Sequence, residues 1–137
     1  MPISKLEQAI MTSWRRITSS DPDNWSENNP AWGQSEASAL VMNDYLGGEI
    51  VWSNVLLRNR KKGINYYRNK AGHKENRLLE MQFPESAVIP NAMPKKEGYN
   101  STREYLLSDE NVLINYNLLK KDVEKYLQEN KTQQPDY

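Results

Sequence analysis

Residues 29–50 read NPAWGQSEASALVMNDYLGGEI, and the order of residue types in this stretch sets the architecture. Asn29-Pro30 and the Trp-Gly-Gln of 32–34 have turn chemistry. Ala37, Leu40, Val41 and Tyr45 then fall on one face, which predicts a helix over about 36–46. Gly47-Gly48 ends it, because glycine accepts the left-handed backbone of a C-cap. EIVWSNVLL (49–57) follows at once and is β-rich in composition. Ser35 stands where the turn enters the helix. The plain reading of a serine there is an N-cap. The chemical reading is a nucleophile that gains from the helix dipole and from free backbone amides, with the Gln34 amide as a second oxyanion donor.

Working outward, Ser4-Lys5-Leu6-Glu7 fits a capping box, and Leu6, Ile10, Trp14 and Ile17 recur at helical spacing. A first amphipathic helix is therefore expected over 5–17. SSDPDNWSENNPAWG (19–33) reads as an irregular loop whose Trp25 and Trp32 pack against the body of the domain. INYYRN (64–69) and residues 74–82 are expected to form a hairpin around Ala71-Gly72-His73. Residues 84–98 hold three prolines and read as a loop. Ser101-Thr102-Arg103-Glu104 opens a short helix, and Ser108 is expected to cap a last one. There Val112, Tyr116, Leu119, Val123 and Leu127 keep a 3.6-residue period to about 128. Helices at both ends and strands between them make an α+β domain with an antiparallel sheet. One domain over 1–137 is expected, with 129–137 as a flexible tail.

Composition excludes several functions. Lys+Arg and Asp+Glu both number 18, so no overall charge drives binding to nucleic acid or to an anionic membrane. There is no cysteine, hence no disulfide, thiolate metal site or cysteine nucleophile. Mean hydropathy is -0.89, yet four Trp and eight Tyr are too many large aromatics for a disordered polar chain. MPISKLEQAIMTSW (1–14) lacks the basic and apolar regions of a signal peptide, and no apolar run could span a bilayer. A cytoplasmic location is expected. No phosphate-binding glycine loop occurs, and no His or carboxylate cluster has metal-ligand spacing, so neither cofactor nor metal is expected.

A serine nucleophile needs a base. The single histidine, His73, falls in the predicted hairpin tip, where an exposed turn residue is the ordinary state. RNRKKG (58–63), with Arg68 and Lys70, makes the hairpin region locally basic. Such a hairpin can grip phosphates, but exposed edge strands carry lysines anyway to discourage sheet-to-sheet association. Trp14, Trp25, Trp32, Trp52, Tyr66 and Tyr67 are read as core aromatics.

Four segments resemble the YunG-like family of small bacterial and phage proteins: SSDPDNW, NPAWGQSEASALVMNDYLGGEIVW, NYYRN and STREYLLSDENVLINYNLLKKDVEKYL. The resemblance covers residues 5–127. It implies a papain-like fold, with N-terminal helices, an antiparallel sheet and C-terminal helices, and the layout of a Cys-His hydrolase. The family pattern reads Gly-Gln-Cys at the first helix, a His-Tyr-Tyr/Trp-Asn strand, and Asp-Leu-Thr before Gln-Phe. Laid on this chain without gaps, the cysteine falls on Ser35, the histidine on Asn65 and the aspartate on Arg77, with Gln82-Phe83 matching. If the hairpin differs in length, Glu75 or Glu80 takes the third position instead. Asn65 cannot accept and return a proton near neutral pH, and Arg77 cannot orient an imidazole as a carboxylate does.

The expectation is therefore a catalytically inactive, papain-like binding protein, a phage or mobile-element factor in its setting. It would hold a small molecule or a protein partner in the former cleft around Trp32, Gln34, Ser35, Asn65 and Tyr66. Two alternatives stay open: a serine-dependent hydrolase using Ser35, and a nucleic-acid module using the basic hairpin 58–70.

Overall fold

The computed structural model describes residues 4–58 and 60–130. Helix α1 (Lys5–Ser13) opens on the expected capping box: the Ser4 hydroxyl accepts the Glu7 N–H, and the Glu7 carboxylate accepts the Ser4 N–H. It stops four residues short of the predicted end. Trp14 turns to extended backbone (φ -65°, ψ 131°) and donates its indole N–H to Ser38 in the core. A 3-10 turn (Arg16–Thr18) follows, and Ile17, expected on the buried stripe, is 57% exposed. Helical spacing was continued here past a residue whose long-range partner redirects the chain.

Helix α2 (Ser35–Leu46) carries the buried residues Ala37, Leu40 and Val41, and Gly47 closes it at φ +70°. Strand β1 (Glu49–Val55) pairs antiparallel with β2 (Ile64–Ala71), from Glu49 opposite Lys70 to Val55 opposite Ile64. Gly48, at φ +84°, lets the chain pass β2 closely; a Cβ there would sit 2.2 Å from the Lys70 carbonyl oxygen. The hairpin turns at Gly72-His73 as expected, but its second arm is only β3 (Lys74–Glu75). The Asn76 side chain accepts the Leu78 N–H at 3.0 Å, a side-chain turn that starts a 3-10 helix over Leu78–Gln82. Residues 76–82 are therefore not strand.

Residues 88–93 run along the free side of β1. Leu56 and Val88 exchange backbone hydrogen bonds, as do Trp52 and Met93. The loop expected over 84–98 thus covers a sheet edge that would otherwise present open amides.

Helix α3 (Thr102–Leu107) is capped by Ser101, and α4 (Glu110–Glu129) by Asp109, whose carboxylate accepts the Asn111 and Val112 N–H groups. Ser108, expected to cap α4, closes α3 instead, because the two helices are only two residues apart. The predicted stripe holds, with Val112, Tyr116, Leu119 and Val123 buried. Fully burying such a side chain contributes about 1.5–3 kcal/mol. Helices α2 and α3 touch the sheet, and α4 packs behind them against α1, α2 and α3. Asp44 ties these layers together by pairing with Arg103 at 2.8 Å and accepting the Tyr116 hydroxyl. The architecture is α+β with a three-stranded antiparallel sheet in the order β1-β2-β3. Among the described residues, no helix is long and apolar enough to cross a membrane. The flexible tail expected over 129–137 falls mostly on residues 131–137, outside the described residues.

Candidate functional site

The loop from Trp14 to Gln34 has little regular structure, so its order must come from side chains. Ser19 donates to the Trp32 carbonyl at 2.8 Å and accepts the Asp21 N–H. Asp21 accepts the Trp32 indole N–H at 3.0 Å. Gly33 takes φ +73°, and a Cβ there would lie 2.2 Å from the Ser19 hydroxyl oxygen, so no larger residue fits the turn. Its N–H donates to the Gln82 side chain at 3.3 Å, and its carbonyl accepts the Ser20 N–H at 2.8 Å.

Gln34 is completely buried. Its oxygen accepts the Thr18 hydroxyl at 2.8 Å, and its amide nitrogen donates to the Arg15 carbonyl at 2.9 Å. The amide offered by the sequence as an oxyanion donor is thus bound to the entering loop. Phe83 lies edge-on to both Trp32 and Tyr66, at 6.4 Å and 5.5 Å between ring centres. The Gln82-Phe83 pair therefore fastens the Trp-Gly-Gln turn to the sheet.

Ser35 is not the N-cap. Gln34 holds that position without a side-chain cap bond, and Ser35 is the first helical residue, 3% exposed. Its hydroxyl accepts the Tyr67 N–H at 3.2 Å and donates to Glu36 at 3.3 Å. The sheet explains the first bond. Trp52 and Tyr67 face each other across the ladder; the Trp52 N–H bonds Met93, away from β2. The Tyr67 N–H points outward on the other side, where β3 reaches only Lys70 and Ala71. Ser35 fills the place of a strand partner there.

Ser35, Asn65 and Arg77, the three positions that the sequence pattern set together, do not form one hydrogen-bonded group. Asn65 is exposed and accepts from Asn54 across the ladder at 3.0 Å. Arg77 pairs with Glu80 at 3.2 Å and with Glu75 at 3.5 Å. His73 is exposed at the hairpin tip and makes no hydrogen bond to Ser35. Tyr66 is fully buried; burial raises its phenol well above the ordinary tyrosine range, with Glu80 adding to the shift. Of the five residues expected to line a cleft, Trp32, Gln34, Ser35 and Tyr66 are buried and Asn65 alone is exposed.

Open space lies beside Glu36, the residue after Ser35. A cavity of about 780 Å³ is lined by Arg16, Ser19, Ser20, Glu36, Asp109 and Asn115, among others. Burial pushes the Glu36 carboxyl above its ordinary range, against hydrogen bonds from Ser20 and Ser35 that pull it down. Sequence reading passed over Glu36, since one carboxylate in the first turn of a helix is commonplace. The basic hairpin is also rearranged. Arg68 is buried at 3% exposure, and Arg60 lies over the Trp32 ring at 5.1 Å.

These features define an α+β protein in which a helix N-terminus is sealed onto an open strand edge by a serine. The chain belongs to the YunG family: the family model described as YunG protein matches residues 2–128. No curated protein and no solved structure matches it.

Proposed function

We propose that the chain is a non-catalytic YunG-family protein of papain-like layout that acts by binding a ligand or a protein partner. The observation that carries this reading is the state of Ser35. Its oxygen is buried, holds the Tyr67 N–H, and has no imidazole to take its proton. An attacking oxygen must reach its carbonyl target and lose a proton to a positioned base; the buried Ser35 oxygen does not meet the first condition, and no imidazole meets the second. The papain-like layout is supported by α2, whose first residue meets β2 two positions from Asn65. Asn65 and Arg77 at the matched positions are the degenerate features. The binding surface is assigned to the cavity beside Glu36, because four of the five cleft residues are covered. A single domain acting in the cytoplasm, as a phage or mobile-element factor, completes the reading. The test is acyl transfer from p-nitrophenyl acetate and from short peptide amides, with Ser35→Ala as control. No Ser35-dependent turnover is expected. Turnover that vanishes in Ser35→Ala would overturn the proposal.

One observation favours a second reading, a serine-dependent hydrolase. The Ser35 hydroxyl donates to Glu36, whose carboxyl is shifted upward by burial, toward the range of a general base. Stoichiometric labelling of Ser35 by a fluorophosphonate, lost in Glu36→Gln, would establish it.

A further inference from the structure

Cross-strand partners share a sheet face, so Val51 and Arg68 lie together, flanked by Ser53 with Tyr66 and by Glu49 with Lys70. Residues 89–94 pass over this face and enclose a cavity of about 400 Å³. Its charged lining comprises Arg68, Lys70 and Arg77 against Glu49 and Glu75. Glu49 stands directly opposite Lys70 in the ladder, and Glu75 lies between Arg68 and Arg77 at 3.6 Å and 3.5 Å. Arg77 also pairs with Glu80, which stands outside the lining, at 3.2 Å, so the three cations are matched by three carboxylates.

The placing of Arg68 is unusual for a lining residue. It is 97% buried and held rigidly: Nη1 donates to the Ser53 hydroxyl at 3.0 Å, Ser53 donates to the Pro90 carbonyl at 2.9 Å, and the guanidinium lies over the Tyr66 ring at 5.3 Å. Yet its Nε–H makes no hydrogen bond: Glu75 faces it as an ion pair at 3.6 Å, just past hydrogen-bond distance. A buried donor left unpaired costs about 1–3 kcal/mol. A fixed planar cation with an N–H that makes no hydrogen bond matches a planar charged acceptor. The rest of the lining is Val51, Ile89, Pro90, Ala92 and Pro94, with the polar Asn91 among them.

We infer that the cavity between the β1–β2 face and residues 89–94 binds a small organic acid, its carboxylate on Arg68 and its apolar body against Val51, Ile89 and Ala92. A tetrahedral dianion fits less well, because Glu49 and Glu75 line the same space. This site is separate from the cavity beside Glu36 and does not depend on whether Ser35 reacts.

The test follows the Arg68 Nε–H resonance in proton–nitrogen correlation spectra of the whole chain. Sodium benzoate, benzamide as its neutral isostere, and inorganic phosphate are titrated separately. The expected result is a saturable shift with benzoate, none with benzamide, and a weaker response to phosphate. Arg77→Gln should weaken the benzoate titration about two- to five-fold, as for one exposed charge. Ala92→Phe, which puts an aromatic ring into the cavity from the 89–94 side, should abolish it while the backbone amide spectrum stays folded. An unmoved Arg68 signal, an equal shift with benzamide, a stronger response to phosphate, or a full benzoate shift in Ala92→Phe would each overturn the assignment.

Discussion

Replacing Ser35 by alanine separates a structural serine from a reactive one through stability alone. The hydroxyl oxygen is the partner of the Tyr67 N–H at a point on β2 that β3 does not reach. The site is 3% exposed, so little water can take over the bond. Ser35→Ala should therefore leave a buried donor unpaired, at about 1–3 kcal/mol. For a domain of this size, 1 kcal/mol moves Tm by roughly 3–5 °C, so a fall of about 3–15 °C is expected. Ser35→Cys should lie between the two, because a thiol is a weak acceptor of similar shape. The assay is urea unfolding at neutral pH followed by circular dichroism, with m compared across the series. Groups held in place for reaction are commonly destabilising, so that removing them leaves stability unchanged or raises it. A Ser35→Ala protein as stable as the parent, or more stable, would refute the sealing role and reopen the question of reactivity.

Further outcomes follow from the same geometry. Gln34→Ala should cost about 2–4 kcal/mol in urea unfolding, since it empties a buried site and strips a partner from both Thr18 and Arg15. Hydrogen exchange at Ser20, whose N–H bonds Gly33, should quicken with it. Glu36 is a carboxyl with a raised folded-state pKa, so the folded chain holds its proton to higher pH than the unfolded chain does. Its contribution is fully present below the unfolded carboxylate range and declines as pH rises through the folded value. Glu36→Gln should therefore flatten the stability–pH curve above about pH 4.5 and raise stability at pH 7; an unchanged curve would refute it. Gly48→Ala should cost more than about 2 kcal/mol, because its Cβ meets the Lys70 carbonyl at 2.2 Å. Gly47→Ala, with nothing within 4 Å, should cost about 1–3 kcal/mol of backbone strain alone, since φ +70°, ψ -160° is a region held almost only by glycine.

Local signals in the sequence carried far where the structure depends on neighbours in the chain. The Ser4 capping box, the stop at Gly47 and the α4 stripe all involve residues a few positions apart. Misreadings occur where a distant side chain decides. Helical spacing through Ile17 cannot show that Trp14 reaches Ser38 and turns the chain out of the helix. Alternation after Lys74 cannot show that Asn76 folds back on Leu78. Arg68 looked like one more basic surface residue because its partner Ser53 sits on another strand. At Ser35 the cap reading fails, because the hydroxyl serves a strand amide that only the sheet register defines.

The stretch that resembled a reaction site is better understood by what each member holds. Trp32 binds Asp21 and rests on Phe83; Gly33 makes room for Ser19 and donates to Gln82; Gln34 fastens Thr18 and Arg15. None of these contacts involves a proton transfer or needs a group at position 65 or 77. The turn and helix start can therefore keep the geometry of the family pattern whatever side chains stand at the matched reactive positions. Asn65 meets only a neutral partner, Asn54, on its own face of the ladder, where a neutral amide is satisfied as it stands. Arg77 serves two carboxylates, Glu75 and Glu80, and Glu80 in turn accepts the Tyr66 hydroxyl. A carboxylate at 77 would place three negative groups together beside that buried phenol, so the arginine is the residue this charge cluster requires. Arg77 is thus tied to the hairpin's own electrostatics, and a carboxylate could not be placed there without rebuilding Glu75 and Glu80 as well.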